Sequence, residues 1–349
     1  RCATQYHECE AQRCERQHLL PTIVTFNKME KNQQRIYSLD IAKALCIVLV
    51  VVGHFNPDNA PAWWKCINQI IYSFHMPLFL FVSGYVYRHT LRKQSYSAFM
   101  EKKCRRLAVP YLITSAIIIS IKLLSHGNVQ TSSPVTPFSF VEMLYLPAAG
   151  YFLWFVWALL LMFAIVWFAK GKKARMALLV ASVALYYLPI DFPDLFCLRQ
   201  FKMMMLYFMM GVVSAESDLK KIFSCAWANI VYIPLFGFAF YLWADMGDNY
   251  VPIVAVTGIL MVLAISKWLE KLQFVKHSIL LPLSAASYTI YLYHTTFMGF
   301  AKAFCAKLHL AAHFELEACL VVLCGVVCPL LLHWAIKRFR VGKIMLGLG

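Results

Sequence analysis

The chain has 349 residues, 61% hydrophobic and 14% charged, with a mean hydropathy of +0.62. A water-soluble domain carries about 45–50% apolar and about 25% charged residues, so this composition excludes an ordinary soluble fold and leaves a membrane domain. The net charge of +16, from 33 Lys and Arg against 17 Asp and Glu, would suit nucleic acid or membrane topology, and the placement of the cations decides between them.

Residues 1–28, RCATQYHECEAQRCERQHLLPTIVTFNK, are polar and contain no apolar core of signal-peptide length. Met29 and the polar residues after it read as a natural start, so residues 1–28 are an expected upstream extension. Cys2, Cys9 and Cys14 lack the spacing of zinc ligands. Residues 1–34 are read as a polar extension and 35–349 as one membrane domain without an internal repeat.

From residue 35 onward, apolar runs broken by charges, Gly and Pro mark ten spans. They lie near 38–55, 67–87, 107–125, 148–169, 174–190, 199–215, 225–244, 250–268, 279–301 and 317–336. One alternate set of connections, including the C-terminus, holds twenty Lys and Arg: seven from Arg88 to Arg106, four in the run Lys170–Arg175, Lys220 and Lys221, three from Lys267 to Lys276, and four from Lys337 onward. The other set holds four, Lys65, Arg199, Lys302 and Lys307, among acids such as Asp58, Asp191, Asp248 and Glu315. The positive-inside bias therefore predicts an all-α, ten-helix protein with both termini cytoplasmic. The positive charge is a topology signal, and no nucleic-acid partner is expected. Cysteines outside the extension show no C-x-x-C pair, so neither a disulfide framework nor a metal site is expected.

Titratable side chains at membrane depth cost roughly 2.5–3.5 kcal/mol each on insertion scales, which makes them functional candidates. The first span carries Asp40, Lys43 and His54. Asp40 and Lys43 share a helix face. Lys43 and His54 share one too, about three turns or roughly 16 Å apart along the axis. Taken alone, Asp40 and Lys43 read as interfacial residues, with Lys43 free to snorkel; their alignment with His54 favours a site. In the second span, His75 precedes Met76-Pro77, and Ser83-Gly84 permits close helix approach. Tyr291 and His294 fall near the middle of the ninth span. Trp154 and Trp157 read as belt or packing residues, the run KMMMLYFMMG at 202–211 as adaptable packing, and Lys202 has no explanation at this level.

The segments RIYSLDIAKALCIVLVVVGH and YSFHMPLFLFVSGY resemble the integral membrane acyltransferase 3 family, which O-acylates surface glycans and other exported molecules. The family's basic residue, ten intervening positions and His correspond to Lys43 and His54. EKKCRRLAVPY is similar to its Arg-x-x-Arg motif before Leu and Pro, with Lys103 and Arg106 in those places; Lys103 keeps the charge without the planar guanidinium fork. YFLWFVWALL and SYTIYLYH, with Ser287, Tyr291 and His294, extend the likeness over about residues 35–340.

The resemblance implies an acyl-coenzyme A donor, most simply acetyl-coenzyme A, a glycan or glycolipid acceptor, the bacterial plasma membrane as location, and no metal. The basic segment would hold the donor's phosphates, with Lys103 and Arg106 foremost and Arg105 beside them. His54 would act as general base or as acyl carrier. Lys43 would serve the donor path or pair with Asp40, and His75, Ser83, Tyr291 and His294 would line the substrate cavity. The rival reading is a transporter or flippase for a small anion or lipid-linked sugar, which would favour inverted repeats or paired broken helices.

Overall fold

The computed structural model describes residues 36–91, 94–125, 134–216, 228–246, 251–272 and 278–348. The expectations for residues 1–34, including Met29 and Cys2, Cys9 and Cys14, and those for Arg92, Lys93, Lys220, Lys221, Asp248 and Lys276 lie outside the described residues. The unit described below runs from Ser38 to Gly349.

The described chain is helical, and each expected span coincides with a helix. These are α1 (Tyr37–Gly53), α2 (Ala62–Thr90), α3 (Tyr96–Leu124), α4 (Trp154–Val166), α5 (Lys172–Tyr187), α6 (Leu198–Ser214), α7 (Ala228–Met246), α8 (Val251–Lys271), α9 (Leu280–Lys307) and α10 (Phe314–Ile336). A short α11 (Arg340–Met345) follows. The segments Ala62–Thr90, Tyr96–Leu124, Leu195–Ser214, Val251–Lys271 and Phe314–Ile336 are each long and apolar enough by themselves to cross a membrane, and the protein is a multi-pass membrane protein. In lipid, helices are the economical answer for such runs, because every main-chain polar group must find its partner within the segment.

Two boundaries differ from the hydropathy reading. The basic segment Lys102–Arg106 is helical, because α3 starts at Tyr96, capped by Ser95 Oγ, which accepts from the Ala98 amide at 3.3 Å. The fourth span instead shortens, since residues 143–150 form turns before a single 3-10 turn at Tyr151–Leu153 leads into α4. Pro77 and Pro110 sit inside α2 and α3, which run on through them.

The most extensive packing joins α9 to α10 and α2 to α6. At the second crossing the backbones touch: a Cβ on Gly84 would collide with the Phe208 carbonyl, and one on Gly211 with the Phe81 carbonyl. Reciprocal small residues of this kind allow membrane helices to make their dispersion contacts at short range. Gly258 on α8 likewise faces the Phe74 ring of α2. Three tyrosines fasten the interior to main chain. Tyr111 Oη reaches the carbonyls of Met143 at 2.8 Å and Leu146 at 3.0 Å, Tyr288 Oη donates to Leu107 at 2.7 Å, and Tyr291 Oη donates to Phe152 at 2.7 Å.

At the end of the bundle read as cytoplasmic, Glu216 accepts from Arg88 Nε, at the end of α2, and from Arg175 Nη2 at 2.6 Å, in the first turn of α5. Arg175 also donates through Nη1 to the carbonyls of Ala169 at 2.9 Å and Lys170 at 2.7 Å. Burial alone would raise the Glu216 carboxyl pKa, but the two guanidiniums outweigh it and hold the group below its ordinary value. Lys202 acquires an explanation: its ammonium donates to the carbonyls of Leu188 and Ile190 at 2.5 Å and 2.9 Å, closing the chain between α5 and α6.

Candidate active site

α1 ends at Gly53, and His54 follows while its amide still bonds the Val50 carbonyl at 3.1 Å, so the imidazole projects from the mouth of the helix into the bundle. His54 lines a cavity of about 670 Å³ whose walls include His75, Tyr291, Trp154 and Phe152, with Lys122 and Lys302 among them. This volume falls in the range of about 300–1,000 Å³ that suits small-molecule sites.

The three histidines differ in how they are held. His294, fully buried on α9, places Nδ1 at 2.8 Å from the Tyr291 carbonyl and 3.1 Å from that of Ile290. A carbonyl only accepts, so Nδ1 carries the hydrogen and Nε2 keeps its lone pair. That Nε2 is buried with no hydrogen-bond partner among the described residues. His75 is fixed in the same tautomer by the Ile71 carbonyl, 2.8 Å from its Nδ1. Among the described residues, His54 bonds no carbonyl through its ring in this way. Its Nδ1 lies 3.3 Å from Tyr72 Oη, a group that accepts or donates. The His54 ring stacks on His294, with centroids 4.8 Å apart at 24°, and meets the edge of Phe152 at 6.0 Å. His54 thus differs from His75 and His294 in having a side-chain hydroxyl at Nδ1, and it lines the cavity on a ring kept in place from two sides, whereas His294 stacks behind it outside the lining.

Positive charge accompanies the imidazoles. Lys122 Nζ donates to the Ala149 carbonyl at 2.8 Å, and Lys302 Nζ lies 5.1 Å from the Phe55 ring centroid. These ammoniums make the cavity suited to groups that are anionic or become so during reaction.

The remaining sequence candidates lie elsewhere. Asp40 accepts from Ser284 Oγ at 2.9 Å, linking α1 to α9, and Lys43 is half-buried one turn further on; neither lines the cavity. Ser83 Oγ donates to the Phe79 carbonyl of its own helix at 2.8 Å, and Ser83 also stays outside the cavity. Lys103 is set among aromatic rings, its ammonium 3.8 Å from the Phe163 centroid, 5.5 Å from that of Phe99 and 6.0 Å from that of Tyr87. Such cation–π contact fixes the ammonium while leaving its charge intact. Arg105 is exposed and paired with Glu101 at 2.6 Å. Arg106 is exposed, and its carbonyl is approached so closely by Gly347, at φ +67°, that a Cβ there would collide with it. The residues missed by sequence reading are Tyr72, Lys122 and Lys302. The two lysines carried the same signal as Lys43, an ionisable group at or near membrane depth, whereas Tyr72 resembled any interfacial tyrosine.

Comparison with known proteins adds to this geometry. The profile of the family described as an acyltransferase domain matches residues 36–338. The chain is 28% identical over 166 residues to Nodulation protein NolL of Sinorhizobium fredii, covering 45% of this chain and 43% of that protein. It is 28% identical over 145 residues to Nodulation protein NolL of Mesorhizobium japonicum, covering 38% of this chain and 35% of that one. The matches thus span less than half the length of these relatives. No solved structure matches the chain.

Proposed function

The chain belongs to the membrane acyltransferase 3 family, and on that premise we propose that it transfers an acyl group, acetyl in the simplest case, from cytosolic acyl-coenzyme A to a hydroxyl of an envelope or secreted glycan at the bacterial plasma membrane. The observation that carries the reading is His54 in the cavity wall, stacked on His294 and bonded through Nδ1 to Tyr72. With Nδ1–H donated to Tyr72 Oη, Nε2 is the basic atom. It takes the proton of the acceptor hydroxyl as the oxygen attacks the thioester carbonyl. The tetrahedral oxyanion collapses, the carbon–sulfur bond breaks, and the proton passes to the departing coenzyme A thiolate. The products are an ester and coenzyme A, and no redox partner is needed.

The donor's phosphates are assigned to the basic start of α3. Arg106 is open there, while Lys103 contributes charge from its aromatic setting. The thioester then reaches the cavity through the bundle, and Lys122 and Lys302 favour the oxyanion by their charge.

The test uses protein in lipid nanodiscs with labelled acetyl-coenzyme A, following donor binding and label transfer to envelope glycans. A general base contributes about 10²–10⁴-fold, so His54→Ala is expected to bind the donor and to lose transfer by at least about a hundredfold. Undiminished transfer by folded His54→Ala overturns the assignment of His54. Absence of donor binding and transfer in folded wild type overturns acetyl transfer.

A further inference from the structure

A second cavity, of about 430 Å³, adjoins the first and shares Tyr72, Ser73 and Val251 with it. Its other walls come from the segment after α1, the first turns of α2, the end of α7 and the start of α8. Charge bias assigns these ends to the outer face. His54 is not among its lining residues, and its chemistry differs from that of the first.

Asn56, Asn68 and Gln69 supply amides, Trp243 an indole face and Lys65 the one cation among its lining residues. Asn68 is 4% exposed. Its Nδ2 donates to the Phe55 carbonyl at 3.3 Å, while Oδ1 is buried with no partner among the described residues. A buried amide oxygen without a donor costs about 1–3 kcal/mol, which a ligand hydroxyl would recover. Side-chain amides donate and accept together, as neighbouring hydroxyls on a sugar ring do. An indole offers an apolar plate with a polar edge, fitting the C–H face of a pyranose. A polyanion would call for several cations, and a purely apolar ligand would leave the amides unserved.

We propose that this cavity is the acceptor subsite and that it holds one pyranose of a saccharide, stacked on Trp243 and bonded by Asn68 and Gln69, so that a hydroxyl of that sugar or of its neighbour passes Tyr72 to reach His54. The purpose of the subsite rests on the acyltransferase reading, whereas binding of a sugar does not. Free glycans and lipid-linked glycans present the same ring chemistry to it.

The experiment measures saturation-transfer NMR on nanodisc-embedded wild type, Trp243→Leu and Gln69→Ala, with thermal unfolding as the check on folding. Gln69 is exposed, so its truncation spares the core. The probes are methyl pyranosides of neutral, N-acetylated and uronic type, each with its long-chain alkyl glycoside. Saturable binding of at least one probe, weakened about tenfold or more in both variants, is the expected result. Stronger binding of the alkyl form supports a lipid-linked acceptor, and equal binding supports a free one. No saturable binding by any probe, or binding indifferent to both substitutions, overturns the subsite. His54-dependent transfer of label from acetyl-coenzyme A to envelope glycans, measured with no glycoside probe present, is read in parallel, so the acyltransferase reading stands or falls separately.

Discussion

Replacing Tyr72 by Phe removes one oxygen and keeps the ring. That oxygen is 3.3 Å from His54 Nδ1, at the long end of hydrogen-bond distances, and the tyrosine is 50% exposed. An intramolecular hydrogen bond contributes a net of about 0.5–1.5 kcal/mol. This long, solvent-reached one belongs at the lower end. The His54 ring has independent support from the His294 stack at 4.8 Å and the Phe152 edge at 6.0 Å, so it does not swing away when the hydroxyl goes. At about 1.4 kcal/mol per tenfold in rate, kcat for acetyl transfer is expected to fall about two- to fivefold, far less than for His54→Ala. The assay is initial-rate transfer in nanodiscs at saturating acetyl-coenzyme A, with the acceptor varied so that kcat and KM separate. A fall in kcat as deep as that of His54→Ala would mean that the tyrosine hydroxyl itself handles the proton, refuting a positioning role. Unchanged kcat and KM would mean that nothing at Nδ1 depends on it.

Gly211→Ala drives a methyl into the Phe81 carbonyl and forces α2 and α6 apart. Overpacking of this kind costs about 1–3 kcal/mol, so the thermal midpoint in lipid should drop, while Gly237→Ala, with nothing within 4 Å of the new carbon, serves as the neutral control; equal midpoints for the two would refute the backbone contact. Glu216→Gln leaves Arg88 and Arg175 without their carboxylate, and breaking such a pair costs roughly 3 kcal/mol, the lower end of the buried range because the Arg88 side chain is 35% exposed. Because the folded carboxyl is held below its ordinary value, its stabilisation is complete above the unfolded pKa of about 4.3 and fades as pH falls through the folded one. The gap in midpoint between wild type and Glu216→Gln should therefore be wide at pH 7 and close on acidification, and a gap of constant width would contradict the ion pairs.

Hydropathy located every described long helix because lipid imposes one requirement on all of them, a continuous apolar length. It marked the lipid-facing part of each helix and missed the rest: α3 begins at Tyr96, well before the apolar run at 107, since charged residues carry a helix into the polar region once Ser95 has capped it. The basic segment therefore presents its side chains around a helix, which is why Lys103 turns inward to Phe163 while Arg105 and Arg106 face outward. Within the site, His54, His75, Tyr291 and His294 were legible as polar groups in apolar runs. What separates them was not, because His75 and His294 turn Nδ1 back to carbonyls three or four residues earlier in their own helices while His54 meets Tyr72 across to α2, and only the folded chain shows which ring does which. Of the expected Lys43–His54 stripe, Lys43 lies on α1 and His54 just past its end, and His54 alone of the two lines the cavity. The second cavity was hidden for a related reason, being assembled from the ends of α2, α7 and α8, whose polar residues read singly as ordinary caps and loops.

Tyr111 and Tyr291 grip the wall at residues 143–152 through the carbonyls of Met143, Leu146 and Phe152. A carbonyl is the same whatever side chain its residue carries, so these three anchors survive many changes of side chain in the wall. Mutations there can reshape the lining while the scaffold behind it keeps its course. Divergence toward new substrates can thus proceed by single steps at wall positions other than Phe152, whose ring supports His54.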